Sequence, residues 1–227
     1  PNIANLQKLV IMSAYTCPEP NSLLIDRLIS FAVYNNIEPL IVFNKSDMGD
    51  FSKWYDIYAK SGFKTFVISA KENIGVEELR KEIGAGFCAF AGNSGVGKSS
   101  VINRIFGDLS LKTGEVSRKL GRGRHTTRHT ELFKTHEGGY IADTPGFSSF
   151  ESAGNLYDYK VKLPETFPEF LPFLNDCRFA DCTHTREKGC EVLRAVKDGK
   201  ICASRHESYV KLFEELKSVK EWDKKRI

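Results

Sequence analysis

The nine residues Gly92-Asn93-Ser94-Gly95-Val96-Gly97-Lys98-Ser99-Ser100 decide how this chain is read. They fit G-x-x-x-x-G-K-[ST], the spacing at which a glycine-rich turn wraps successive backbone N–H groups around a phosphate at a helix N-terminus. The context agrees. GFCAFAG (86–92) leads in as a short apolar run of buried-strand character, and KSSVINRIF (98–106) leaves with helical spacing. Lys98 is therefore expected to bridge β- and γ-phosphates, and the Ser99 hydroxyl to ligate Mg²⁺. Gly92, Asn93, Ser94, Gly95, Val96, Gly97 and Ser100 would supply the cradle.

Working outward toward the N-terminus, apolar strand candidates KLVIMSA (8–14), PLIVFNK (39–45) and KTFVISA (64–70) alternate with helical patterns. The helices are expected over 21–36, behind an Asn or Ser cap, over 52–61, and in VEELRKEI after Gly75. Continuous apolar strands separated by helices indicate an α/β fold with a mostly parallel sheet covered on both faces. On the C-terminal side, 108–131 is polar and basic, and LFKTHEGGYIADTPG reads as two short strands joined by a Gly138-Gly139 turn.

Three further segments complete a nucleotide site. In ADTPG, Asp143 ends a predicted strand and is placed to hold Mg²⁺ through a water, with the Gly146 amide near the γ-phosphate. In NKSD (44–47), the Asp47 carboxylate matches the two donors at N1 and N2 of guanine, which adenine lacks. Asn44 would meet the base's Hoogsteen edge and the Lys45 stem would lie over the ring. In SAK, formed by Ser69, Ala70 and Lys71, the Ala70 amide is a donor for the guanine O6. Each of these segments ends a strand, where open α/β sheets hold their ligands.

Their order is unusual. NKSD and SAK precede the phosphate loop and DTPG follows it, whereas an ordinary GTPase chain starts with the phosphate loop. The sheet closes normally if KLVIMSA takes the place that would follow DTPG, so the fold expected is a P-loop GTPase sheet in circularly permuted order. Residues 1–150 are assigned to that domain. Residues 151–227 change character, with three prolines in LPETFPEFLPFL, a cysteine cluster and an amphipathic helix expected over 203–226. They are read as a small helical domain held by a metal.

Within it, Cys177, Cys182, His184 and Cys190 form C-x₄-C-x-H-x₅-C, three thiolates and an imidazole suited to tetrahedral Zn²⁺. Cys88 and Cys202 read as packing residues and His206 as a surface one. Of 227 residues 41% are hydrophobic and 27% charged, the composition of a folded soluble protein. No apolar run approaches the roughly 18 residues of a membrane span, and no signal segment follows Pro1, so the expected location is the cytoplasm. The net charge of +4 is modest, but Lys112, Arg118, Lys119, Arg122, Arg124 and Arg128 cluster with His125 and His129 around a single acid, Glu115. Such a run suits nucleic-acid phosphates.

The circular order together with GNSGVGKSS, GRGRHTTRHTEL, DTPGFSSF and CRFADCTHTREKGC resembles the circularly permuted ribosome small subunit-dependent GTPases, over essentially the whole chain. The resemblance implies GTP hydrolysis with Mg²⁺, a structural Zn²⁺, and binding of the small (30S) ribosomal subunit and its 16S rRNA late in maturation, by a chain expected to be a monomer. It also implies an N-terminal OB-fold domain, which the 227 residues are expected to lack because Pro1 falls near the join. Phe147 stands after DTPG, where many GTPases have a water-orienting glutamine. His125 is the nearest substitute in the sequence, and the family's matching histidine carries that role. Thr127, with Thr126 as the second choice, would complete the Mg²⁺ shell from switch I. The competing reading is a GTP-gated rRNA-binding module with negligible turnover.

Overall fold

The computed structural model describes residues 6–84, 86–107, 131–134, 138–143 and 156–220. Six strands form one sheet: β1 (Lys8–Ala14), β2 (Glu38–Asn44), β3 (Thr65–Val67), β4 (Phe87–Ala91), β5 (Glu131–Lys134) and β6 (Tyr140–Asp143). Their spatial order is β3-β2-β1-β4-β6-β5, parallel throughout except for the β5–β6 hairpin. The N-terminal strand thus lies in the interior of the sheet, between β2 and β4, as the permuted order requires. β3 is shorter than KTFVISA suggested, because Ser69 leaves the ladder to bridge with Ile74.

Alternation along β1 builds two cores. Val10, Met12 and Ala14 face one layer, and Leu9 and Ile11 the other. Helices α3 (Val76–Ile83) and α4 (Lys98–Phe106) cover the first face, and α1 (Ser22–Tyr34) and α2 (Ser52–Lys60) the second. The start of α1 is set by Asn21, whose side chain accepts a 3.1 Å hydrogen bond from the Leu24 amide.

The C-terminal elements are α5 (Leu156–Lys162), 3-10 segments over Leu163–Thr166 and Pro168–Asp176, α6 (Glu191–Lys197) and α7 (Ala203–Leu216). Pro164, Pro168 and Pro172 interrupt i→i−4 bonding and keep the middle of this region from becoming an α-helix. The helix expected over 203–226 ends at Leu216 instead. There the chain turns, Val219 packs on the C-terminal core, and the Lys160 ammonium donates to the Lys217 and Val219 carbonyls at 2.9 Å each. Residues 221–227, with Lys224, Lys225 and Arg226, lie outside the described residues.

This region shares its core with α1: Phe31 joins Tyr159, Phe167, Phe170, Tyr209 and Leu212. The contact is keyed by Arg205, fully buried, whose Nη1 donates to Asp26 Oδ1 of α1 at 2.6 Å and whose Nε and Nη2 donate to the Glu169 carboxylate at 2.7 and 3.2 Å. The guanidinium also lies 4.6 Å from the Phe167 ring centroid. Burial pushes the Asp26 carboxyl up, and Arg205 opposes that shift. Removing the cation would strand two acids in a dry site. Arg205→Ala is therefore expected to lower unfolding stability by about 3–5 kcal/mol, read from the urea midpoint at unchanged slope.

Candidate nucleotide site and metal centre

The parallel sheet delivers its ligand segments to one edge. Register pairs Ala14 with Asn44 across β1 and β2, and Ile11 with Ala91 across β1 and β4, so NKSD and the phosphate loop emerge at one edge from the two strands that flank β1. SAK follows β3, and β6 ends at Asp143.

Asn44 sits among them, 3% exposed. Its Nδ2 donates to the Val96 carbonyl at 2.9 Å, and its Oδ1 accepts from the Ala70 amide at 3.1 Å. One side chain thereby ties NKSD to both the phosphate loop and SAK. Gly97 is the reason it fits: with φ at +92°, a Cβ there would lie 2.4 Å from Asn44 Nδ2. The Ala70 amide, expected to face guanine O6, is engaged with Asn44 in this arrangement.

Lys45 adopts a left-handed backbone, φ 68°, and its ammonium donates to the Thr16 carbonyl at 3.2 Å. The Ser69 hydroxyl donates to Asp47 Oδ1 at 2.6 Å and holds that carboxyl below its usual range, so Asp47 is an anion at neutral pH. Lys71 lies 3.9 Å from the other Asp47 oxygen. These groups bound a cleft of about 660 Å³, with Asn44, Lys45 and Asp47 on one side, Ala70 and Lys71 on another, and Gly97 with Ser100, Asn103 and Arg104 of α4 on the third. The volume suits a nucleoside.

At the phosphate loop, Lys98 folds back across the turn and donates to the Gly92 and Asn93 carbonyls at 2.8 Å each. α4 begins at Lys98, so Ser99 and Ser100 occupy its first turn, at the positive end of the helix dipole. The backbone of Asp143 ends β6 beside β4. His125, Thr126, Thr127, Gly146, Phe147 and the basic run from Lys112 to Arg128 lie outside the described residues.

Sequence reasoning missed Arg104. Its Nε donates to the Ala70 carbonyl at 2.9 Å and its Nη2 to that of Lys71 at 3.3 Å. No motif marks it, since its partners are backbone atoms some 33 residues away in the chain.

The four predicted metal ligands converge. Their ligand atoms all lie within 4.8 Å of one another. His184 Nδ1 is 3.5 Å from both Cys177 Sγ and Cys190 Sγ, and those two sulfurs are 3.9 Å apart. A tetrahedral Zn²⁺ with ordinary bond lengths requires S–N edges of about 3.5 Å and S–S edges of about 3.8 Å. The donor set therefore fits zinc in chemistry, and the three edges among Cys177, His184 and Cys190 fit it in spacing. Two amides at the start of α6 point at sulfur, Glu191 N at Cys177 and Leu193 N at Cys190, at 3.4 and 3.5 Å. Burial keeps the His184 ring neutral and pushes the Cys182 thiol up to about 12, so the cation's own field must draw off the thiol protons.

The ligand loop is braced. Burial works against the charge of Glu187, but bonds from Thr183 and the loop amides outweigh it and hold the carboxyl at about 2. Tyr209 donates to the Thr183 carbonyl at 2.7 Å, and His206 Nε2 bonds the His184 carbonyl at 2.8 Å. His206 is thus half-buried support for the metal loop rather than a surface residue. Cys88 is buried as expected, and Cys202 caps α7 with its thiol 3.9 Å from the Ile57 carbonyl.

Residues 1–153 match the family described as RsgA GTPase. The chain belongs to the RsgA GTPase family. It is 40% identical over 228 residues to the small ribosomal subunit biogenesis GTPase RsgA of Ruminiclostridium cellulolyticum, covering all of this chain and 74% of that protein. It is 42% identical over 229 residues to the RsgA of Caldanaerobacter subterraneus, covering all of this chain and 75% of that one. Among solved structures it resembles YjeQ from Thermotoga maritima, with TM-score 0.73, 32% identity, and coverage of 95% of this chain and 73% of that one. It also resembles YloQ, a circularly permuted GTPase, with TM-score 0.73, 28% identity, and coverage of 95% and 70%. As an RsgA family member the chain is a GTPase that uses Mg²⁺, and its Cys₃His cluster is a zinc site. No described helix is long and apolar enough to cross a membrane.

Two outcomes follow. Protein purified without chelator carries one zinc per chain by elemental analysis, and Cys190→Ser loses it along with several degrees of thermal midpoint. Asp47→Asn loses at least tenfold in GDP affinity by calorimetry while gaining affinity for xanthosine diphosphate, whose 2-position is an acceptor.

Proposed function

We propose that this chain hydrolyses GTP as a nucleotide-dependent checkpoint on the small ribosomal subunit, with residues 1–150 as the permuted GTPase domain and 151–227 as the zinc-bearing domain. The observation that carries it is the meeting of NKSD, SAK, the phosphate loop and β6 at one sheet edge in permuted order. The subunit assignment extends to this chain what the names of its relatives say of them.

In this reading Asp47 selects guanine, Lys45 covers the base, and the amides from Asn93 to Ser100 hold the phosphates. Lys98 exchanges its two loop carbonyls for β- and γ-phosphate oxygens. Ser99 and Thr127, with Asp143 through a water, would hold Mg²⁺, which would supply charge stabilisation at the phosphates. His125 orients the attacking water, and the Gly146 amide senses the γ-phosphate. The basic side chains around His125 offer 16S rRNA phosphates a surface of complementary charge. By linkage, RNA that favours the GTP-bound form tightens GTP binding. The site of action is the cytoplasm and the working form a monomer.

The test is cosedimentation with purified small and large subunits over a salt series, with a non-hydrolysable GTP analogue or with GDP. Tighter binding to the small subunit in the GTP-like state, weakening with salt, is the expected result. Preference for the large subunit, or equal affinity in both nucleotide states, would overturn the checkpoint. In the same assembly His125→Ala lowers subunit-stimulated turnover at least tenfold while GTP affinity stays within about twofold, the pattern of a contact made in the transition state.

A further inference from the structure

We infer that Arg104 is a positioning residue for base selection: it sets the SAK loop and, through that loop, the carboxylate that reads guanine. The inference rests on the reading of Asp47 given above and concerns a residue that no nucleotide-binding motif includes.

Four hydrogen bonds carry it, two of them side by side from Arg104. The Arg104 guanidinium, projecting from α4, donates to the carbonyls of Ala70 and Lys71 at 2.9 and 3.3 Å. Those two bonds fix the rotation of consecutive peptide planes, because a planar trans peptide moves its carbonyl and its N–H together. The second plane ends in the Glu72 amide, which donates to the Ser69 hydroxyl oxygen at 3.1 Å. With that oxygen's acceptor side engaged, the hydroxyl proton is directed at Asp47 Oδ1, 2.6 Å away. The other anchor of the loop is the Ala70 amide on Asn44, so Arg104 and Asn44 grip the same residue from its carbonyl and its amide.

The consequence concerns selectivity more than affinity for phosphate. Asp47 reads two donors, N1–H and the 2-amino group, and a carboxylate accepts both only when its plane is held. Freed from Arg104, the loop lets the Ser69 hydroxyl and the Asp47 carboxylate rotate. GDP, which needs both acceptor positions held, then loses more than a base that offers N1–H alone. Arg104 also stands on the helix that begins at Lys98, so the helix holding the phosphates sets the guanine loop as well. Lysine at this position can reach one carbonyl but not fork across two.

The experiment measures GDP and inosine diphosphate affinities by calorimetry in the wild type, Arg104→Ala and Arg104→Lys, with circular dichroism melts and zinc content checking each fold. Inosine diphosphate lacks only the 2-amino group. The wild type is expected to prefer GDP about tenfold or more. Arg104→Ala is expected to narrow that preference roughly three- to tenfold, chiefly by weakening GDP, and Arg104→Lys to restore part of it. An Arg104→Ala protein that weakens for both nucleotides equally, or for neither, overturns the inference and leaves the Asp47 reading standing. A wild type with no preference for GDP over inosine diphosphate removes the Asp47 reading and this inference together.

Discussion

The nucleotide site depends on one buried carboxamide. Asn44 joins loops that lie 26 and 52 residues away in sequence, and does so with both ends of its side chain used. Neither bond is exposed to competing water, so loss of the side chain would leave the Ala70 amide and the Val96 carbonyl without these partners. The arrangement is possible only because β1, β2 and β4 run parallel and open toward the same edge, and because residue 97 has no Cβ. NKSD, SAK and the phosphate loop are therefore parts of one assembly rather than segments lying side by side.

Helix α1 links that assembly to the zinc-bearing region. Ahead of α1 the chain passes close to the phosphate loop, where a Cβ on Gly95 would lie 2.9 Å from the Cys17 carbonyl oxygen, and Thr16 accepts from Lys45. Its buried face then carries Asp26 to Arg205, and Ser30 to the hydroxyls of Tyr159 and Thr166 at 2.6 Å each. The C-terminal region is thus held from two directions. Its own metal closes the loop from Cys177 to Cys190, and a charged, aromatic-lined contact fastens it to the sheet layer. The metal stands in for core that so short a loop cannot build.

Much of this was legible in the sequence, for identifiable reasons. Lys98–Phe106 and Val76–Ile83 appear where periodicity put them because each buries one face against the sheet, and Lys8–Ala14 because a central strand is apolar on both faces. The zinc ligands were readable because soft donors at short spacing have few other uses. The end of α7 was not. Its amphipathic pattern continues past Leu216, and the stop comes from Lys160, a residue 57 positions upstream that captures the outgoing carbonyls. His206 was misjudged for a similar reason, since its partner is the backbone of a metal-loop residue 22 positions away.

The division follows what each kind of chemistry leaves in a chain. What resides in side chains at fixed short spacing was determined by the sequence alone: the phosphate loop, the NKSD and SAK segments, the Cys₃His set and the permuted order that identifies the family. Function that resides in backbone acceptors and long-range pairs was decided by tertiary structure: Arg104 on two loop carbonyls, Asn44 between three loops, and Arg205 between two acids from distant segments. A carbonyl carries no residue identity, and a buried charge finds its partner only when the fold closes, so neither writes a local pattern for sequence to display.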